Sequence, residues 1–394
     1  MLLAVVLLYL SILLEDANEV FSYRLSRLAK KRSAGQQTSK YGRKADPRGP
    51  DPKDSLTSLS RPIFLDLLVV VDSSCYRYHG DDTEHYVMDM LNVAASLWKS
   101  SSLNADVRFR VVKIQILKEN QNDLELTDHA NLSLRRFCQW QKSHYIADEA
   151  DGVHHNVAVL ISRIDIHIGG NFDATGVAYN KGVCDPQYRC ALCEDKSPMV
   201  LSHTIAHEIG HLLGMRHDGE RNTCPDRVNI KSGYATGGPP TFFWSHCSRQ
   251  ALAEFLSSNR VGCLQDAASR TPGVALETVA MPGRTYDANY QCQMIYGPAA
   301  EKCKEWGNSK TCGLLKCRMD ISSECVTDGR PALQGTSCGA LKWCSRGLCV
   351  QRSGQTLGRL GGRATTANRQ NGKPTDELNC SECSTFPYMD TPAP

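Results

Sequence analysis

His207, Glu208, His211 and His217 are the side chains of this sequence best placed to do chemistry. On an α-helix His207 and His211, four residues apart, put both imidazoles on one face, one turn apart. Glu208 stands beside them, close enough to take a proton from a metal-bound water without being a ligand. Gly214 lets the backbone leave the helix sharply, because glycine tolerates the left-handed conformation. That turn brings His217 round as a third ligand. Three imidazoles leave a fourth position for water, the arrangement of a catalytic zinc rather than a structural one. Zinc lowers the pKa of its water to about 7. Glu208 would accept the proton as that water attacks a peptide carbonyl, and pass it to the departing amine. The bare His-Glu-x-x-His pattern also arises on solvated helix faces. Here the glycine, the third histidine and Asp218 sit at set offsets, and Ile205, Ile209 and Leu212 recur at helical spacing, which favours the metal.

Other segments supply the frame. IFLDLLVVVD, from Ile63 to Asp72, reads as a buried strand, and residues 84–99 carry a helical pattern through Tyr86, Met90, Val93 and Leu97. Residues 107–117 read as a strand, 127–143 as a helix, 157–162 as a central strand and 176–179 as a short edge strand. Strands alternating with helices before the histidine helix predict an α/β domain with a largely parallel sheet.

The chain has 394 residues, a formal net charge of +3 and 18 cysteines. Residues 24–53 hold ten Lys/Arg against two Asp, a local charge of +8 that reads as a flexible, cleavable linker. No nucleic-acid partner is expected, because no aromatics interleave with those basic residues in a folded context. Eight cysteines fall in residues 292–349, a density that implies a disulfide scaffold and hence the secretory pathway. Asn131 opens an Asn-Leu-Ser sequon that would be glycosylated there. The apolar run at residues 1–14 is short for a membrane span and near the length of a signal-peptide core. No other segment is long enough to cross a bilayer. Residues 352–394 read as a disordered tail, with Cys380 and Cys383 inside it.

Longer stretches carry a resemblance. FLDLLVVVD, FCQWQ at 137–141, GVHHNVAVLISRIDI at 152–166, TIAHEIGHLLGMRHDGE at 204–220 and FWSHCSRQ at 243–250 form one set. MPGRTYDANYQCQMIYGP at 281–298 and GTSCGALKWCSRGLC at 335–349 form another. Together they resemble the ADAMTS proteases (a disintegrin and metalloproteinase with thrombospondin motifs), a branch of the metzincins. The resemblance implies an α/β metzincin catalytic domain with a mixed twisted sheet over residues 61–268. A small disulfide-rich, disintegrin-like domain follows over 280–352, after a pro-segment and linker over 1–60 with a convertase-like site ending at Arg32. It implies zinc on His207, His211 and His217 with Glu208 as base. It also implies a structural calcium on Asp66, Asp165, Asp173, Asp266 and the Cys263 carbonyl, each aspartate otherwise reading as a turn or cap. Family pairing would join Cys138–Cys190, Cys184–Cys263, Cys224–Cys247, Cys292–Cys317, Cys303–Cys325, Cys312–Cys344 and Cys338–Cys349. The implied protein is a secreted monomer that cleaves extracellular proteins, matrix components among them.

The chain departs from the family pattern in four places. No cysteine precedes residue 75 to block the zinc. Lys231 stands where the family has the methionine under the metal; its ammonium is expected to reach toward solvent and to weaken metal retention. No thrombospondin repeat follows Cys349. A family disulfide is missing where His167 and Phe172 now stand. Cys75 and Cys193 are extra, and spacing leaves open whether they pair with each other. These departures keep a second expectation alive, a catalytically weak metzincin scaffold that binds matrix partners or acts as a decoy.

Overall fold

The computed structural model describes residues 62–144, 154–233, 239–266, 273–276, 281–320 and 322–351. The apolar N-terminal run, the basic linker, Cys380 and Cys383 lie outside the described residues. A six-stranded sheet organises the first part, in the order β4-β5-β3-β1-β2-β6. Its strands are β1 (Ile63–Val71), β2 (Val107–Ile116), β3 (Val157–Ser162), β4 (Gly176–Ala178), β5 (Cys190–Glu194) and β6 (Val274–Ala275). The four central strands run parallel, while β4 pairs antiparallel with β5 and β6 antiparallel with β2.

Alternation along β1 sorts its side chains between two cores. Leu65, Leu67, Val69 and Val71 face one side; Leu68 and Val70 face the other. This is the period of two that a pleated strand covered on both faces demands. Helices make the parallel crossovers: α1 (Ser73–His79) and α2 (Thr83–Trp98) follow β1, and α3 (Ala130–Ser143) follows β2. The larger core lies between the sheet and α2 with α4 (Pro198–Leu212). The smaller packs α3 residues Leu134, Phe137 and Trp140 on Leu160 and Leu192.

Helix α4 is the deepest element. Ser197 caps its N-terminus by accepting from the Val200 amide, Pro198 opens it, and every residue except His211 is buried. Two short helices follow, α5 (His246–Leu256) and α6 (Gly262–Asp266).

Residues 281–351 bury few side chains of their own. Helix α7 (Ala288–Tyr296), the pair β7 (Glu301–Lys302) and β8 (Cys317–Arg318), and the antiparallel β9 (Ser337–Gly339), β10 (Lys342–Ser345) and β11 (Leu348–Gln351) surround a small core in which cysteines predominate. Cys292–Cys317, Cys303–Cys325, Cys312–Cys344 and Cys338–Cys349 hold the segment together. Each native bridge in so small a unit typically contributes about 2–5 kcal/mol. Cys138–Cys190, Cys184–Cys263 and Cys224–Cys247 brace the larger part. The boundary between the two parts is not a gap: Tyr286, Met294 and Leu333 belong to the larger core. No helix among the described residues is long and apolar enough to cross a membrane.

Candidate functional site

Helix α4 carries His207 and His211 on one face, and its end delivers His217. The helix stops at Leu213; Gly214 takes φ +90° and its amide donates to the His211 carbonyl at 2.9 Å. The turn brings the Nε2 of His217 to 3.1 Å from the Nε2 of His207 and 3.1 Å from that of His211. The opposite ring nitrogens are occupied. Nδ1 of His207 donates to the Ile230 carbonyl at 2.8 Å, and Nδ1 of His211 to the Met215 carbonyl at 2.8 Å. Each such bond fixes the tautomer and leaves Nε2 with its lone pair for a metal. Three nitrogens about 2.0–2.1 Å from a tetrahedral zinc would lie about 3.3–3.4 Å apart, so the observed cluster fits that ion. Burial holds all three imidazoles below their usual pKa, strongly so for His207 and His211, with Lys231 adding to the effect. Neutral ligands at physiological pH follow.

Glu208 is buried, and its Oε2 has no hydrogen-bond partner among the described residues. Burial pushes its pKa up to about 7, with Lys231 pulling the other way. A carboxyl poised there suits a general base. Strand β4 passes directly over it. A Cβ on Gly176 would stand 2.5 Å from Thr204 Cγ2 and 2.9 Å from Glu208 Oε1, so only glycine fits. Among the described residues no other strand covers the outer edge of β4. The edge strand from Gly176 to Tyr179 was expected to pair with an extended substrate; the close approach of Gly176 to Glu208 is what the sequence did not show.

The model of the reprolysin (M12B) family of zinc metalloproteases matches residues 63–268, more than half of the chain. The chain belongs to this family. ADAMTS cysteine-rich domain 2 matches residues 282–350, which places it in the ADAMTS branch. Curated relatives agree. A disintegrin and metalloproteinase with thrombospondin motifs 7 of Rattus norvegicus is 35% identical, over 74% of this chain and 18% of its own length. Protein 10 of that series from Homo sapiens is 38% identical over 74% of this chain and 28% of its own length, and protein 12 from Mus musculus 36% over 75% and 18%. The chain therefore spans about a fifth to a quarter of the relatives it matches.

Within this reprolysin frame Lys231 departs from its expected position. It does not reach solvent: its side chain is fully buried, and Nζ donates to the His207 backbone carbonyl at 3.0 Å. Gly210 makes the room, since a Cβ there would stand 3.1 Å from Lys231 Cδ. Burial lowers the ammonium pKa to about 7, and the charge of Glu208 opposes that shift. An aliphatic stem as long as methionine's fills the floor, so the turn keeps its shape. Asp218 helps to pin it: its amide donates to the Lys231 carbonyl at 2.9 Å, and Ser245, the cap of α5, donates to its Oδ1 at 2.6 Å.

Of the positions expected to share a calcium, Asp66 and Asp165 do not come together. Asp66 is held by both ends of the Arg110 guanidinium, at 2.6 and 2.7 Å, and its amide bonds Asn156 at the start of β3. A paired carboxylate of this kind has its counter-charge already. Asp165 follows the far end of β3, a strand length away, and meets Lys196 at 3.7 Å. Cys263 is bonded to Cys184, Asp173 is exposed, and the Asp266 side chain lies outside what is described. Asp165 has a different neighbour. Glu194 is 4% exposed, its Oε2 has no partner among the described residues, and burial together with Asp165 raises its pKa to about 7, Lys196 opposing. Asn131 is exposed on the first turn of α3.

Cys75 and Cys193 are buried free thiols, not a disulfide. Cys75 faces Asp195, which accepts from His79 at 2.7 Å, Tyr86 at 2.7 Å and Arg163 at 3.0 Å. These donors hold the Asp195 pKa down although burial opposes them. Where the family has a further disulfide, the His167 and Phe172 rings meet at 4.9 Å beneath a tight turn closed by Ile168 and Asn171.

Proposed function

We propose that this chain is a secreted zinc endopeptidase that hydrolyses peptide bonds of extracellular proteins, matrix components among them. The observation that carries the reading is the convergence of three Nε2 atoms, with the Nδ1 atoms of His207 and His211 already fixed by backbone carbonyls. His207, His211 and His217 would hold the ion, which when bound supplies an acidified water and positive charge for the developing oxyanion. Glu208 accepts the proton on its unpaired carboxylate oxygen and carries it to the leaving amine. An extended substrate adds along the free edge of β4, which keeps its scissile bond beside Glu208. Seven disulfides among the described residues support an extracellular setting. The position proposed for a structural calcium is the unpartnered Glu194 carboxylate oxygen beside Asp165.

The second reading is a weak scaffold or decoy, and the buried ammonium of Lys231 under the metal position favours it. Zinc content and turnover of the purified chain and of Glu208→Ala against a peptide library separate the two. The endopeptidase reading expects stoichiometric zinc in both proteins and cleavage by the wild type alone. Stoichiometric zinc with no cleavage by the wild type leaves the scaffold. Cleavage that survives in Glu208→Ala contradicts the proposed base.

A further inference from the structure

Helix α4 is gripped from outside its own domain. Ser197, the residue that caps it, donates its hydroxyl to Asp328 Oδ2 at 3.1 Å. One turn before His207, and therefore on the same face of the helix, Nδ1 of His203 accepts from Arg330 at 3.3 Å. Arg330 and His203 are both buried, 6% and 4% exposed. Two residues of the cysteine-rich segment, separated only by Gly329, thus hold the helix at its first turn and at the turn before the ligands.

Pro198 and Met199 at the start of the helix line one small cleft with Ile295, Leu315 and Pro331 of the cysteine-rich segment. The flanking residues fix the loop in turn. Leu333 enters the larger core, and Gln334 donates to Ser96 on α2 at 3.1 Å. Arg330 itself is costly: a buried guanidinium needs a counter-charge, and Asp328 supplies the one that opposes its desolvation. A surface appendage would have no use for such a residue.

We propose that the Asp328–Arg330 segment positions the active site, setting where α4 presents His207 and His211. The proposal rests on the zinc reading for its consequence in turnover, but its structural content stands apart from the metal. Loss of Arg330 leaves His203 buried without its donor and frees the middle of the helix, and misplacement by about 1 Å can lower turnover about 10²-fold.

The test uses the full chain with its disulfides formed, as wild type, Arg330→Ala, Arg330→Lys and Asp328→Asn. Three quantities are read: zinc release to a chelator, kcat against KM, and hydrogen exchange of the α4 amides in metal-free protein. Arg330→Ala is expected to release zinc about tenfold faster and to lose kcat with KM changed less than twofold. Its amides from Ser202 to His211 should exchange faster while those of β1 and β3 do not, and Arg330→Lys should recover part of each effect. Unchanged zinc release and unchanged α4 exchange in a folded Arg330→Ala overturn the proposal. Should that variant fail to fold, Asp328→Asn decides by the same measurements. If the wild type binds no zinc, the endopeptidase reading fails, and α4 exchange alone still supports or overturns the positioning role.

Discussion

Replacing Lys231 by methionine tests the floor of the site most sharply. The ammonium has an ordinary pKa of 10.5 and a value of about 7 in the fold, with burial as the main cause. At about 1.36 kcal/mol per unit, that difference is a folding penalty of roughly 5 kcal/mol when the group is charged. Because the folded pKa is depressed, the penalty is absent above pH 10.5, grows as pH falls, and is complete below about 7. Methionine removes it and gives up the bond from Nζ to the His207 carbonyl, worth about 1 kcal/mol. The net gain is roughly 4 kcal/mol at pH 6 and becomes a loss of about 1 kcal/mol above pH 10.5. For a domain of this size that corresponds to about 8–16 °C in melting temperature. The assay is urea unfolding of the metal-free chain and of Lys231→Met, disulfides intact, at pH 6, 8 and 10. A midpoint gain that is largest at pH 6 and fades with rising pH is expected, together with slower zinc release to a chelator. Equal midpoints at pH 6 would refute the buried-ammonium account, and a gain independent of pH would reassign it to packing.

Further outcomes follow from other residues. Gly176→Ala puts a methyl group 2.9 Å from Glu208 Oε1. Turnover is expected to fall about 10²-fold with zinc content unchanged, and undiminished kcat would show that Glu208 is not constrained by β4. Glu194 has a raised folded pKa, so the stability it contributes is full below about 4.5 and lost as pH rises through about 7. Glu194→Gln should therefore stabilise calcium-free protein at pH 8 and not at pH 4. Added calcium should raise the wild-type melting temperature at pH 8 and leave that of Glu194→Gln unchanged; equal responses would remove Asp165 and Glu194 as the calcium position. Arg110→Gln strips the counter-charge from Asp66 and is expected to cost about 3–5 kcal/mol. A loss below 1 kcal/mol in urea unfolding would show that the pair is not needed.

Much of this was legible in the residues. The apolar, β-branched run IFLDLLVVVD marked β1, helical spacing marked α2, and Gly214 marked where the chain must turn to bring in His217. These are local signals, and local signals survive folding. The sequence reading missed β5, whose Cys-Ala-Leu-Cys-Glu is only five residues long and not β-branched, and α5, a helix of weak periodicity. Lys231 was misjudged because free lysines reach solvent. Its burial depends on the gap left by Gly210 and on the His207 carbonyl, which only the packed structure brings together. Asp66 and Asp165 were grouped on resemblance, while Arg110 and Glu194, their actual neighbours, come from strands distant in sequence. The separate second domain was read from cysteine density, which gives no sign that Leu333 and Arg330 pack into the first.

X-ray absorption at the zinc edge of the purified chain addresses the central claim most directly. The account predicts one zinc with three imidazole nitrogens and one oxygen at about 2.0–2.1 Å, unchanged in Cys75→Ser and lost in His211→Ala. Sulfur scattering at about 2.3 Å would place the ion at the Cys75, His79 and Asp195 cluster instead. A chain that is metal-free and cannot be loaded with zinc would contradict the account outright.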